Sequence, residues 1–357
     1  MNGRGRGRET MPAFRITEWE RAPAMVEATV PRPAAGEVVV RVAGNGLCHS
    51  DLVMAQIPAA VGEAIGWQVP FTLGHEIAGW VALAGRGVTG WSEGDAVAVV
   101  SPSSCGTCEY CRAGQEIACD HGTVGRGYGR DGGLAPYVLI DDTRALLPLE
   151  RLDPKVAGPL TDAGATSCHA VKRVLPKLAG AGAVAVVIGA GGLGAYAIQL
   201  LRAMSDARVI AVDVNPARLG IARELGAHAT LAGVDGSTTA ELLARTGGHG
   251  AHAVLDFVGT DDTIDTSLGA VRKLGAYALV GAGGGRLNRP WFGATKEADV
   301  ICFQGSNIAD ARDVLALAEQ GLIRSEIDQY PLDRVTDAYH ALDAGTLRGR
   351  AVVVPGG

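Results

Sequence analysis

The sequence predicts an α/β protein in which a doubly wound parallel sheet is inserted into a separate β-rich domain. Three observations carry that prediction. From about Ala183 onward, short apolar strands alternate with helical segments, the pattern of a parallel sheet with helices packed on it. The first third instead carries short β-branched runs separated by turn residues. The C-terminal tail, ending Ala351-Val352-Val353-Val354, resembles the first third rather than the middle. A chain of 357 residues also exceeds what one hydrophobic core ordinarily serves.

In the first third, residues 37–42 and 96–100 read as strands, bounded by Pro33-Ala34-Ala35-Gly36 and Glu93-Gly94-Asp95. Many short strands with glycine-rich corners predict a barrel-like or sandwich-like domain. In the middle, 183–188 reads as a strand, 193–204 as a helix, 208–212 as a strand and 216–225 as a helix. Pro216 opens that last helix and Gly226 closes it. Runs at 253–257 and 276–280 continue the series, and a helix over 308–320 leads into the tail.

Composition narrows the class. With 47% apolar and 20% charged residues the chain reads as a soluble globular protein, and a formal charge of −6 argues against a general nucleic-acid or membrane surface. The one basic patch, MNGRGRGR, has no apolar run beside it. Residues 1–11 are therefore expected to be a disordered extension rather than a nucleic-acid arm or a secretory signal. Residues 178–201 carry no charge and are long enough to span a bilayer. Six glycines interrupt them, and their composition shifts from β-branched to helix-forming, so a buried strand, turn and helix are expected instead.

Four of the seven cysteines, Cys105, Cys108, Cys111 and Cys119, lie in the run CGTCEYCRAGQEIACD. Four thiolates on that spacing can close a tetrahedron around one structural zinc ion, in a lobe spanning 103–122. Such close neighbours pack poorly as disulfides, which points to a cytoplasmic compartment. Cys168 and Cys302 fall outside this set and are expected to be packing thiols.

Gly189-Ala190-Gly191-Gly192-Leu193-Gly194 follows a predicted strand and opens a predicted helix, the context that gives a G-x-G-x-x-G run its meaning. The glycines let backbone approach a pyrophosphate, whose charge then meets the helix N-terminus. Asp213 closes the next strand, where a carboxylate accepts from adenosine ribose hydroxyls and repels a 2′-phosphate. NAD is therefore the expected cofactor. Arg218 is a candidate flank for the adenine, with a solvated helix charge as the equal alternative. Cys48, His75 and Asp162 are metal-type residues as well, but their spacing nominates nothing. Singly, each reads as a buried thiol, a satisfied histidine or a helix-cap aspartate.

The run beginning Gly74-His75-Glu76, with Gly79, Gly85 and Val88 and then Gly94-Asp95 and Val97, resembles the zinc signature of the medium-chain alcohol dehydrogenases. Gly46-Leu47-Cys48-His49-Ser50-Asp51 is similar to that family's first ligand segment. Pro159-Leu160-Thr161-Asp162-Ala163-Gly164 resembles the aspartate variant of bacterial NAD-dependent secondary alcohol dehydrogenases. The likeness runs from about Phe14 onward. It implies a GroES-like β-barrel catalytic domain (1–163 and 306–357) around an inserted Rossmann domain (164–305), with an active cleft between them.

The same resemblance implies that Cys48, His75 and Asp162 hold a catalytic zinc, making two zinc ions per chain with the cysteine lobe. Asp51 would orient His75, and Glu76 would stand beside the metal without binding it. Ser50 would take the alcohol's proton and pass it to the nicotinamide ribose. His49 and Arg350 would face the cofactor pyrophosphate. Where some relatives end their proton relay at a histidine, this chain has Val53. Ile57, Trp67 and Phe303 are candidates for the substrate pocket, with core packing as the alternative. The expected reaction is reversible hydride transfer between an alcohol, apolar and secondary, and NAD. A polyol or amino-alcohol substrate is the alternative, followed by a non-catalytic zinc or nucleotide binder. A homotetramer is expected by analogy, with a dimer as the alternative.

Overall fold

The computed structural model describes residues 9–290, 293, 295–302 and 304–356. The chain divides into two compact units. One comprises Met1–Asp162, Asn307–Glu319 and Ser325–Gly357, and the other Ala163–Ser306 and Gln320–Arg324. The short return Gln320–Arg324 groups with the second unit, where the Gln199 side chain bonds both the amide and the carbonyl of Arg324.

In the first unit a seven-stranded sheet runs Leu146–Pro148, Ala96–Val99, Glu76–Ala84, Val38–Gly46, Arg350–Val354, Ile327–Pro331, with Tyr137–Ile140 also paired to Val38–Gly46. The tail strand Arg350–Val354 lies antiparallel to Val38–Gly46, in register Val352 with Gly46. That pairing is why the tail reads like the first third. Gly44 and Gly79 make the central strands fit. A Cβ on Gly44 would sit 2.3 Å from the Lys155 carbonyl oxygen, and one on Gly79 would sit 2.1 Å from that of Arg41.

A three-stranded sheet places Thr10–Ile16 between Ala24–Thr29 and Phe71–Thr72. This corrects part of the expected disordered leader. Thr10 and Met11 pair with Thr29 and Ala28, and Met11 is buried with Ala13, Ala28 and Ala135. Strand pairing and that small apolar cluster hold them. Residues 1–8 lie outside the described residues. Phe14, Ile16, Leu47, Phe71, Leu73, Leu134, Tyr339 and Val353 belong to a larger core cluster of this unit.

The second unit is a six-stranded, all-parallel sheet in the order Ala229–Ala232, Arg208–Asp213, Val184–Ile188, Ala251–Asp256, Val271–Leu279, Asp299–Cys302. The chain order reverses at Val184–Ile188, the topological switch of a doubly wound fold. That strand is buried at every position, as expected for a sheet covered on both faces. The uncharged stretch 178–201 resolves into this strand, a turn and the helix Gly192–Met204. Among the described residues no helix is long and apolar enough to cross a membrane. Asn215 caps the helix Pro216–Glu224, its Oδ1 accepting from the Ala217 amide at 2.9 Å.

Candidate active site

Three local features of the first unit aim side chains at one point. Cys48 is the N-cap of the short helix His49–Met54, and the Asp51 carboxylate reaches back to accept from the Cys48 amide at 3.1 Å. The cap fixes Cys48, Ser50 and Asp51 relative to one another. His75 follows Gly74, whose φ of +96° favours glycine and where a Cβ would lie 2.7 Å from the Asn45 side chain. Asp162 ends the turn Gly158–Thr161. A Cβ at Gly158 would come within 2.3 Å of the Glu76 carbonyl oxygen, so this turn packs directly on the start of the strand Glu76–Ala84.

The result is a cluster in which Cys48, His75 and Asp162 each present one ligand-type atom, all within 4.8 Å of one another. His75 Nε2 stands 3.6 Å from Asp162 Oδ2 and 3.3 Å from Ser50 Oγ, while Nδ1 stands 3.1 Å from Asp51 Oδ1. Two ligands about 2.1 Å from a tetrahedral zinc are separated by about 3.4 Å, so the spacing suits that ion. Electrostatics agree. Burial alone would lower the pKa of His75, but the charge of Asp51 and the polar approach of Asp162, Asp51 and Cys48 outweigh it and raise it well above 6.5. A thiol and two carboxylates around one imidazole call for positive charge at the centre.

Glu76 is fully buried and paired with Arg350, which also donates to the Leu47 carbonyl at 2.9 Å. Burial lifts the Glu76 carboxyl to about 7 against the opposing charge of Arg350. Arg350 is thus part of a buried ion pair, not a surface charge. His49 is exposed on the helix His49–Met54, and Val53 is 64% exposed. Trp67 is buried, edge-on to Phe71, and its Nε1 donates to the Thr123 carbonyl at 2.7 Å. Ile57 packs half-buried against the same core. Phe303 lies outside the described residues. Sequence reasoning passed over Tyr128, whose ring meets His75 edge-on at 6.3 Å between centroids. No spacing rule links the two.

Cys105, Cys108, Cys111 and Cys119 form a second cluster of the same compactness. The Sγ pairs Cys105–Cys111 and Cys108–Cys119 are each 4.0 Å apart, against about 3.8 Å for sulfurs on one tetrahedral zinc. The backbone turns its amides onto the sulfurs. Cys105 Sγ accepts from the amides of Thr107 at 3.4 Å and Cys108 at 3.3 Å, and Cys119 Sγ from those of Cys105 at 3.3 Å and His121 at 3.4 Å. The Thr107 hydroxyl, followed by those two amides, lowers the Cys105 thiol to about 5. Cys108 is lowered too, chiefly by the Cys111 amide, whereas burial pushes the Cys111 thiol up to about 12, so the thiolate form that binds metal is favoured at Cys105 and Cys108.

In the second unit the glycine loop is a cradle that side chains would fill. Gly189 has φ +85°, and a Cβ on Gly194 would sit 1.8 Å from the Gly189 carbonyl oxygen, closing the gap between helix and strand. Gly191 faces the Arg218 guanidinium, 3.6 Å from where its Cβ would be. Gly192 and Leu193 begin the helix Gly192–Met204. Asp213 is buried at the end of its strand and accepts from the amides of Ala190 and Asn215, both at 2.8 Å. It braces the loop, and each oxygen keeps a second lone pair.

The chain resembles known proteins along nearly its whole length. Residues 34–151 match a family model described as alcohol dehydrogenase GroES-like domain, and 192–320 match one described as zinc-binding dehydrogenase. The chain is 33% identical to an NAD-dependent alcohol dehydrogenase of Sulfurisphaera tokodaii, over 97% of this chain and 100% of the relative. It is also 33% identical to a D-arabinose 1-dehydrogenase (NADP(+)) of Saccharolobus solfataricus, over 92% of this chain and 93% of that one. The solved alcohol dehydrogenase of Aeropyrum pernix superposes with a TM-score of 0.88 at 32% identity, covering 96% of this chain and 100% of that one.

Proposed function

This chain belongs to the zinc-type medium-chain alcohol dehydrogenases, and from that premise we propose that Cys48, His75 and Asp162 are its catalytic metal ligands. It is an NAD-dependent oxidoreductase acting on an alcohol, with a Rossmann domain and a GroES-like domain. The observation that carries the proposal is the approach of the three ligand-type atoms to within 4.8 Å from three separate elements. Zinc held there supplies Lewis acidity that makes an alcohol easier to deprotonate and a carbonyl easier to reduce. The glycine loop Gly189–Gly194 and Asp213 would hold NAD, which would supply reversible hydride-transfer chemistry.

The chain's own residues divide the remaining work. Ser50, beside His75 Nε2, is positioned to take the alcohol's proton. Asp51 faces His75 Nδ1 and so directs Nε2 toward Cys48 and Asp162. Val53 has no proton-accepting group, so a relay through that position is closed, and the proton would leave through ribose hydroxyls and water or by another route. Glu76 and Arg350 form a fixed buried pair next to His75. Asp213 recognises the adenosine ribose, with Arg218 beside it and His49 toward the pyrophosphate. The four cysteines hold a second, structural zinc, and a cytoplasmic homotetramer is the assembly expected by analogy.

Apolar secondary alcohols are the proposed substrates, with Ile57 on the candidate pocket wall. The sugar-oxidising name of one relative favours polyols or aldoses as the second reading. Steady-state kinetics with NAD on 2-alkanols, aryl carbinols, polyols and aldoses separates the two. The proposal expects kcat/KM highest on the first two groups, and turnover confined to polyols or aldoses would overturn it.

A further inference from the structure

The carboxylate that steers His75 is short of donors. An ionised carboxylate offers about four lone-pair directions. Asp51 is 1% exposed, its Oδ2 accepts from the Cys48 amide, and among the described residues its Oδ1 meets no donor in hydrogen-bond geometry although the His75 ring is 3.1 Å away. A buried hydroxyl with the complementary deficit lies on the helix Val335–Asp343, which packs against His49–Met54. This is Tyr339, 5% exposed, stacked on Phe14 at 5.9 Å between ring centroids, with its Oη buried and without a hydrogen-bond partner among the described residues. The buried residues of His49–Met54 are Asp51 and Met54, and Met54 shares an apolar cluster with Tyr339, so Asp51 lies on the helix face turned toward the phenol. A phenol hydroxyl can act as a donor there. Tyr339 belongs to the same apolar cluster as Leu47, Met54 and Val353, where phenylalanine would serve packing equally well. The oxygen needs another reason.

We infer that Tyr339 is a positioning residue of the proposed metal centre, its hydroxyl donating to Asp51 so that a Tyr339–Asp51–His75 chain fixes the rotation of His75. The inference rests on the reading of Cys48, His75 and Asp162 as metal ligands. Outer groups that orient a ligating histidine typically change metal affinity by about 10- to 100-fold.

The test compares the full-length wild type with Y339F, D51N and the double variant, each checked by circular dichroism and thermal unfolding. Metal content is measured per chain, zinc affinity by competition with a chromogenic chelator, and the visible spectrum after cobalt(II) exchange. Y339F is expected to fold, keep the metal of the four-cysteine cluster, bind the other zinc about 10- to 100-fold more weakly and shift the cobalt bands. In D51N the Y339F change is expected to cost nothing further, because the hydroxyl acts through Asp51. Unchanged affinity and cobalt spectrum in Y339F would overturn the inference, and so would penalties of the two variants that add in full. A wild type carrying metal only at the cysteine cluster would instead sink the ligand assignment beneath it.

Discussion

The cysteine cluster and the Cys48–His75–Asp162 cluster are equally compact, yet they are assembled in different ways. The first is built inside one short segment, whose own backbone amides point at its sulfurs. The second draws one side chain each from a helix cap, a strand entry and a turn. Its outer groups are side chains: Asp51 on His75, and Arg350 on Glu76. On the proposed reading a metal in the first would stiffen the lobe around it, whereas the second depends on the whole unit being folded and in return would keep a position open for substrate.

The largest expected effect tests the dispersed site. His75→Ala should lower kcat/KM for alcohol oxidation by about 1000-fold, the equivalent of several kcal/mol of lost charge stabilisation, while circular dichroism stays unchanged. Activity within tenfold of wild type would mean the cluster is not catalytic. Cys111→Ser should do the reverse. Losing the knot's metal should lower Tm by on the order of 10 °C, with kcat of the protein that remains folded changed only a few-fold. A variant with normal Tm and lost activity would erase the contrast between the two clusters.

A smaller effect probes the helix that touches both regions. Ile308–Glu319 starts at the zinc lobe, where Asn307 Oδ1 accepts from the Ile117 amide at 3.0 Å and Glu116 Oε2 from the Ile308 amide at 3.3 Å. It ends at Glu319, whose carboxylate accepts from the amides of Glu150, Arg151 and Leu152 at 3.0 to 3.2 Å. Partial burial works to raise the pKa of Glu319, but those amides win and lower it. A lowered carboxyl pKa contributes stability that is complete above the unfolded value of about 4.3. That stability is lost as pH falls through the folded value. Glu319→Gln should therefore cost about 1–2 kcal/mol at pH 7, with the gap closing as the pH drops below about 4. Urea unfolding of both proteins at the two pH values measures it. A gap independent of pH would show that the charge of Glu319 does not anchor this end of the helix.

The same contrast explains what could be read in advance. Strands at 184–188 and 208–213 and the helix 192–204 follow from apolar patterning and glycine placement, which act over a few residues. The uncharged run 178–201 was decipherable for the same reason, because its glycines mark where the backbone must turn. By contrast, the leader was expected to be disordered through Met11. Its pairing with residues 24–29 depends on chain that meets it only after folding. Arg350 read as a surface charge or a pyrophosphate contact. Its burial against Glu76 depends on the tail strand crossing Val38–Gly46.

Sequence by itself determined the cysteine knot, the glycine loop and the alternation of strands and helices, because each is written in spacings shorter than one supersecondary unit. Resemblance to a family, rather than spacing, singled out Cys48, His75 and Asp162. Tertiary structure alone decided that these three converge, that Asp51 backs His75, and that the helix carrying buried Tyr339 packs on the helix carrying Asp51. Those contacts join segments far apart in the chain. Their closure is driven by burial of the surrounding core, and that collective term has no local signature.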